Sequence, residues 1–358
     1  MYKIGFDAKR YYHNRTGLGN YSRTLVAALK EQYPDIGHKL YDSKSIERTF
    51  SLGRQAVKDG CLLFHGLSNE LPRDIVKSGI PSIVTMHDVA WRTFPDMYTF
   101  FDRHIYDWKY GWSAKNATHV VCISESTKRD VMRFYHVPAE RISVIYQPVQ
   151  QCFYAAIADD EATRIALNAL PYLNDNGKVR PFIITVGSIN SRKNLLGMVK
   201  AFNRVPEEER PIFVVVGNGR EYRSTVESYI AENRLEEWIH IESNIHEASV
   251  LQALYAKALL LMYPSFYEGF GLPVVEAALQ RCPVITSNVS SLPEAAGPGA
   301  IQVNPSSDEQ IAEALLTLLR NPAERKERGD KGYDYCMSHF HPAVLTGQMK
   351  ELYDSLVK

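Results

Sequence analysis

Residues 263–277 read YPSFYEGFGLPVVEA. An apolar run, Leu259–Met262, leads into this segment and reads as a strand. A loop carrying Gly269 and Gly271 follows, and Pro273 suits the first turn of a helix. Free amides at such a helix start, added to the helix dipole, suit a phosphate. The two glycines allow the backbone to come close to a ligand. Glu268 falls on the loop and Glu276 about one turn into the helix, so two carboxylates can reach different parts of one ligand. The plain alternative is a glycine-rich turn with two solvated glutamates.

The same strand–loop–helix grammar extends outward in both directions. Upstream and downstream lie strand-like runs at Phe182–Val186, Ile212–Val216, Ile239–Ile241, Val284–Thr286 and Ala300–Val303. Helical stretches separate them: Leu195–Val205, Tyr222–Asn233, Ala248–Ala256, Val274–Leu279 and Asp308–Arg320. An earlier series runs through Lys3–Phe6, Leu62–His65, Ser82–Thr85, His119–Ile123 and Ser143–Ile145, with a helix over Tyr21–Gln32. The runs are nearly continuous rather than alternating, as parallel strands covered on both faces require. Strand–helix alternation predicts α/β domains with parallel sheets.

At 358 residues the chain has the length of about two domains. The break between the series falls near residue 150, after which come a helical segment over Asp160–Leu170 and a polar turn, LNDNGK. The expected division is 1–150, 151–342, and a last helix over 343–358 that completes the second domain or crosses back to the first. Two doubly wound domains facing across a cleft suit a nucleotide-linked ligand, held in loops beyond the carboxyl ends of strands.

Composition narrows the function. Hydrophobic residues make up 45% and charged residues 23%, which excludes a disordered or low-complexity chain. Formal net charge is zero, against a nucleic-acid binder. The neutrality is uneven: residues 1–150 carry +6 and the remainder −6. Five scattered cysteines without a C-x-x-C argue against a disulfide framework or a zinc site. MYKIGFDAKR lacks the apolar run of a secretory leader, and no stretch reaches the roughly 18 apolar residues of a membrane span. The expected setting is cytoplasmic, where the four N-x-S/T triplets have no glycosylation role. No Asp-x-Asp or His spacing suggests a metal, and none is expected; nor is an organic cofactor.

YPSFYEGFGLPVVEA resembles the E-x7-E signature of the retaining nucleotide-sugar glycosyltransferases of family 4, which have the GT-B fold. Further segments fall in matching order: GLGNYSRTLVAAL (17–29), MHDVAW (86–91), VVCISESTKRDV (120–131), VGSINSRKNLLGMVKAF (186–202) and PVITSNVSSLPEAAG (283–297). The likeness covers nearly the whole chain. It implies transfer of a hexose, with mannose from GDP-mannose as the first expectation, to a glycan or lipid-linked glycan in surface polysaccharide synthesis. It also implies acceptor attack on the face that the leaving group departs.

The same resemblance distributes roles. Arg192 and Lys193 follow a strand and are the cations for the leaving diphosphate, where fixed positive charge stabilises the transition state. An Arg often follows the glycine of this segment in the family, whereas Ser188 stands there in this chain. Glu268 would orient the donor and stabilise positive charge on the sugar. Gly269, Phe270, Gly271, Leu272 and Glu276 would line the donor. Gly17 and Gly19 would offer amides from the first domain, and His87 would lie against the donor sugar. Ile245 and Glu247, in ESNIHEAS, stand nearest the nucleotide base; Glu247 accepts from guanine or caps the following helix. The Gly17-x-Gly19 and Gly217-x-Gly219 pairs lack the third glycine of a dinucleotide fingerprint.

Two segments point toward the acceptor. Phe94–Lys115 is dense in aromatics, with Arg103, Lys109 and Lys115 interleaved, and reads either as a sugar-stacking or membrane surface or as an aromatic core. RYYHNRT (10–16) is a polar loop after the first strand. Peripheral contact of the basic first domain with an anionic membrane is a further expectation. Competing readings are a GT-B-like nucleotide-sugar epimerase and a non-catalytic sugar-nucleotide-binding scaffold.

Overall fold

The computed structural model describes residues 2–14 and 17–357. Arg15 and Thr16, the end of the RYYHNRT segment, lie outside the described residues; its start is not the expected loop, because Lys9–His13 form a short helix. The chain divides into two compact units, residues 2–149 with 340–357, and residues 150–339.

The first unit holds six parallel strands: β1 (Lys3–Asp7), β2 (Gly37–Tyr41), β3 (Leu63–Gly66), β4 (Ser82–Met86), β5 (His119–Cys122) and β6 (Ile142–Val144). Their spatial order is β2-β1-β3-β4-β5-β6. β3 and β4 are buried at every residue, which explains their unbroken apolar runs. β2 reads GHKLY and lies at the sheet edge, with only Tyr41 buried. Its polar composition carries no strand signal, and it went unread in the sequence for that reason.

The helix Pro342–Leu356 belongs to this first unit. Leu345, Met349 and Tyr353 enter the same core as Ile4, Leu25, Val26 and Leu29. Buried polar groups reinforce the attachment. Tyr353 Oη lies 2.7 Å from His65 Nδ1, and His65 Nε2 lies 2.8 Å from Thr85 Oγ1.

The second unit opens with a short antiparallel hairpin, β7 (Asn174–Asp175) and β8 (Lys178–Val179). Asn176 (φ 51°) and Gly177 (φ 84°) make its two-residue turn, the pairing that Asn-Gly favours. The sheet proper is all parallel: β9 (Phe182–Val186), β10 (Ile212–Val216), β11 (Ile239–Glu242), β12 (Leu261–Tyr263), β13 (Val284–Ser287) and β14 (Ile301–Val303). Its order is β11-β10-β9-β12-β13-β14, so the winding reverses between β9 and β12. Helices Leu195–Asn203, Glu221–Glu232 and Asp308–Arg320 bury Val199, Phe202, Val226, Ile311 and Leu315 with Ile183, Phe213 and Ile285 of the sheet. A 19-residue helix, Pro322–Phe340, closes the unit. Both units are therefore doubly wound α/β domains.

Candidate active site

Ligands of doubly wound sheets bind beyond the carboxyl ends of the strands at which the winding reverses. In the second unit those strands are β9 and β12, and the loops that leave them hold Arg192, Lys193 and Glu268.

Polar contacts fix the two loops to each other. Asn190 caps the turn Ser191–Lys193 by accepting from the Lys193 amide at 3.2 Å. Asn194 sits in the left-handed region (φ 60°) and is buried. Its side-chain amide donates to the carbonyls of Pro264 (3.1 Å) and Pro305 (2.7 Å). The Phe266 amide donates to the Arg192 carbonyl at 2.9 Å. From the other side, Ser290 Oγ accepts from the Glu268 amide at 2.8 Å. Ser291 Oγ lies 2.8 Å from the carbonyls of both Glu268 and Phe270. Asn194, Ser290 and Ser291 carry no periodic signal, and sequence reasoning gave them no role.

The result is a compact ionic constellation. Lys193 Nζ lies 2.6 Å from Glu268 Oε1, and Arg192 Nη1 lies 2.9 Å from Oε2. Lys193 also donates to the Tyr263 hydroxyl, and Arg192 to the Tyr267 carbonyl. Glu268 is only 7% exposed, so it is not a solvated surface carboxylate. Burial alone would raise its carboxyl; Lys193 and Arg192 outweigh that and hold it below the usual range.

Gly271 has φ +117°, and a Cβ there would meet Leu292 Cδ2 at 2.8 Å. The left-handed backbone requires glycine; the Leu292 methyl, at the far end of its side chain, can give way. The helix Leu272–Leu279 follows, with Pro273 in its first turn. Glu276 on this helix is half-buried and accepts from the Tyr255 hydroxyl at 3.3 Å. Burial raises its carboxyl to about 7, against a small opposing effect of Tyr255. Phe270 is buried at 2% exposure, which leaves its backbone rather than its ring at the site, and Leu272 is half-buried. Gly269 lies in the same loop.

Ser188 is exposed, and its hydroxyl accepts from Asn190 Nδ2 at 2.9 Å. Ile245 is half-exposed. Glu247 occupies the position just before the helix Ala248–Lys257, is exposed, and makes no capping bond through its side chain. Gly217 and Gly219 have a packing reason: a Cβ on either would strike the Gly187 carbonyl at 1.9 Å or the Ile189 carbonyl at 2.2 Å.

In the first unit, Gly17 opens the helix Gly17–Gln32 and has free space where a Cβ would stand. Gly19 is different. Its Cβ would meet the Asn14 carbonyl at 1.8 Å, and its amide donates to Asn14 Oδ1 at 3.3 Å. His87 follows β4 and is 5% exposed. Its Nε2 donates to the Leu67 carbonyl at 2.9 Å, its amide donates to Asn69 Oδ1, and the Tyr21 ring meets it edge-on at 4.8 Å. Burial lowers the imidazole to about 4, so it is neutral at pH 7. The aromatic stretch divides between its two readings: Tyr110 is buried, whereas Phe100, Phe101 and Trp108 are 60%, 76% and 58% exposed. Among the described residues no group of three or more His, Cys, Asp or Glu side chains is placed to hold a metal ion.

Residues 174–335 match the family described as Glycosyl transferases group 1, and residues 64–150 match Glycosyltransferase Family 4. The chain is a family 4 glycosyltransferase with the GT-B fold. This glycosyltransferase is 27% identical to the O-antigen chain mannosyltransferase B of Escherichia coli over 272 residues, 74% of this chain and 67% of that protein. It is 26% identical to the O-antigen chain mannosyltransferase RfbU of Salmonella typhimurium, over 67% of this chain and 61% of that one. Its fold is similar to that of Anabaena Alr3699/HepE, solved in complex with UDP and glucose: TM-score 0.74, 14% identity, covering 99% and 100% of the two chains. The sucrose-phosphate synthase of Thermosynechococcus elongatus gives a TM-score of 0.76 at 19% identity, covering 99% of each chain. No described helix is long and apolar enough to cross a membrane.

Proposed function

We propose that this glycosyltransferase moves mannose from GDP-mannose to a glycan or lipid-linked glycan in surface polysaccharide synthesis, with retention at the anomeric carbon. The observation that carries the reading is the convergence of Arg192 and Lys193 on Glu268 where the sheet winding reverses. Likeness to relatives named O-antigen chain mannosyltransferases supports the sugar.

Cleavage of a sugar–diphosphate bond builds negative charge on the leaving phosphate and positive charge on the sugar. Arg192 and Lys193 supply fixed charge for the first, without reorganisation at the moment of reaction. Glu268, held ionised, supplies the opposite charge for the second. When the diphosphate takes the two cations, the carboxylate they release remains beside the sugar. The leaving phosphate then accepts the proton of the attacking acceptor hydroxyl. Gly269, Phe270, Gly271 and Leu272 contribute surface and backbone to the donor, Glu276 a hydrogen bond to its hydroxyls, and Ile245 and Glu247 contacts to the base.

A thermal-shift panel of GDP, UDP, TDP and ADP with their sugars tests the donor, because a ligand of the native state raises the melting temperature. Stabilisation by GDP-mannose above the others is expected; a preference for UDP-sugars overturns that choice. The anomer of the product, read by NMR, tests retention.

Part of the same reading is peripheral attachment to an anionic membrane surface through the basic first domain, whose Phe100 and Phe101 are exposed beside Arg103. Co-sedimentation with liposomes that does not depend on anionic lipid sinks it.

A further inference from the structure

β12 ends in Tyr263, at the point where the winding of the second sheet reverses. The backbone there is fixed twice over. Thr286 of β13 donates through Oγ1 to the Tyr263 carbonyl at 3.1 Å, and the Ser265 amide donates to the same carbonyl at 2.9 Å. The side chain is 2% exposed, and its hydroxyl accepts from Lys193 Nζ. That ammonium lies 4.7 Å from the centroid of the ring.

Lys193 itself is borne on a loop, and a lysine stem turns freely unless its end is held. The stem passes Gly187, where a Cβ would stand 3.6 Å from Lys193 Cε, in ordinary contact. At the ammonium end stand the Glu268 carboxylate, 2.6 Å away, and the Tyr263 hydroxyl. A donor acts differently on these two anchors. On the transferase reading above, the diphosphate draws Lys193 off Glu268, so that anchor weakens during the reaction. The phenol is neutral and sits on a strand, where a side chain is held more rigidly than on a loop. Burial and the facing Glu268 carboxylate keep its proton in place. A hydroxyl whose one proton is directed to Glu268 presents a lone pair to Lys193.

We propose that Tyr263 is a positioning residue for transfer: its hydroxyl keeps the Lys193 ammonium aimed at the leaving phosphate as Glu268 lets it go. The inference rests on the assignment of Lys193 to that phosphate. Aim matters most where charge develops, so the hydroxyl acts on the transition state more than on donor binding. A bound diphosphate attracts the ammonium in any orientation.

The test is Tyr263→Phe in the full chain, which keeps the ring and removes the hydroxyl. Turnover is read as release of the nucleoside diphosphate in water, without acceptor. The probe is GDP-mannose, or the nucleotide sugar that raises the melting temperature most. The variant should lose about tenfold in kcat, the scale of one hydrogen bond to a charged group. Its donor KM should change by less than about twofold. In a Lys193→Ala background the same substitution should cost less than about twofold more, because the residue it positions is gone. An undiminished loss in that background overturns the inference, as does a raised KM at wild-type kcat. A variant that melts far lower yet turns over like the wild type below its melting temperature makes the hydroxyl merely structural, and also overturns it. A slowed Lys193→Ala beside an unslowed Tyr263→Phe overturns this inference alone. Wild-type turnover in Lys193→Ala overturns the phosphate assignment and this inference with it.

Discussion

Lys193 Nζ stands 2.6 Å from a carboxylate oxygen of Glu268, and Arg192 holds the other oxygen at 2.9 Å. The two cations are thus fixed in direction before any donor arrives, and they keep a buried carboxylate ionised. Lys193→Ala removes one of the two charges aimed at the leaving phosphate. Loss of one such group costs about 10²–10³-fold in turnover. Arg192 still pairs with Glu268, so the melting temperature changes far less than the rate. Wild-type turnover in this variant removes the phosphate assignment.

Glu276 gives a pH signature of the opposite sign to Glu268. Its carboxyl is raised to about 7 by burial, so the folded protein binds a proton that the unfolded chain releases at lower pH. The stability tied to that proton is fully present below the unfolded value and is lost as pH rises through 7. Glu276→Gln keeps the shape and removes the titration. Melting curves of both proteins from pH 4.5 to 8 should diverge, the wild type losing ground to the variant as pH rises. Parallel curves contradict the raised value. For Glu268 the carboxyl is depressed, so its contribution is present above the unfolded value and lost as pH falls through the folded one.

Much of this site was legible because parallel strands and their loops speak in different alphabets. β9 and β12 are apolar runs, so Arg192, Lys193 and Glu268 stand out as charges placed just after a strand. The edge strand β2, with His38 and Lys39, and the helix Pro322–Phe340, whose sequence PAERKERGDKGYDYCMSHF lacks an apolar stripe, do not stand out. Asn194, Ser290 and Ser291 were silent for another reason. They join loops distant in sequence through hydrogen bonds, and that work leaves no periodic pattern.

Gly271→Ala tests the loop geometry. The substitution meets both the left-handed backbone and the Leu292 methyl. Strain of this kind costs about 1–3 kcal/mol. Urea unfolding should show it, and donor affinity should fall with it. Adding Leu292→Ala relieves the contact but not the backbone, so the double variant should recover donor affinity only in part. Full recovery assigns the whole effect to the side-chain clash.

Activity should survive EDTA. On the proposed reading, side-chain cations and backbone amides supply the positive field at the diphosphate that a divalent ion supplies elsewhere. Complete loss in chelator, restored by manganese, contradicts the assignment of that field to Arg192 and Lys193.

Tyr353 tests whether the C-terminal helix helps hold the first unit's inner strands. Its hydroxyl meets His65 Nδ1 at 2.7 Å, and His65 Nε2 meets Thr85 Oγ1, which Tyr21 Oη reaches at 3.1 Å. Burial lowers the His65 imidazole to about 3, so the ring is neutral and one nitrogen must accept while the other donates. Tyr353→Phe leaves the packing and deletes one partner, stranding a buried ring nitrogen at a cost of about 1–3 kcal/mol. His65→Phe in that background also removes the stranded nitrogen, so its additional cost should be smaller than in the wild type. A double-mutant cycle measured by urea unfolding reads the coupling directly. Strict additivity means that the hydroxyl and the imidazole do not act together.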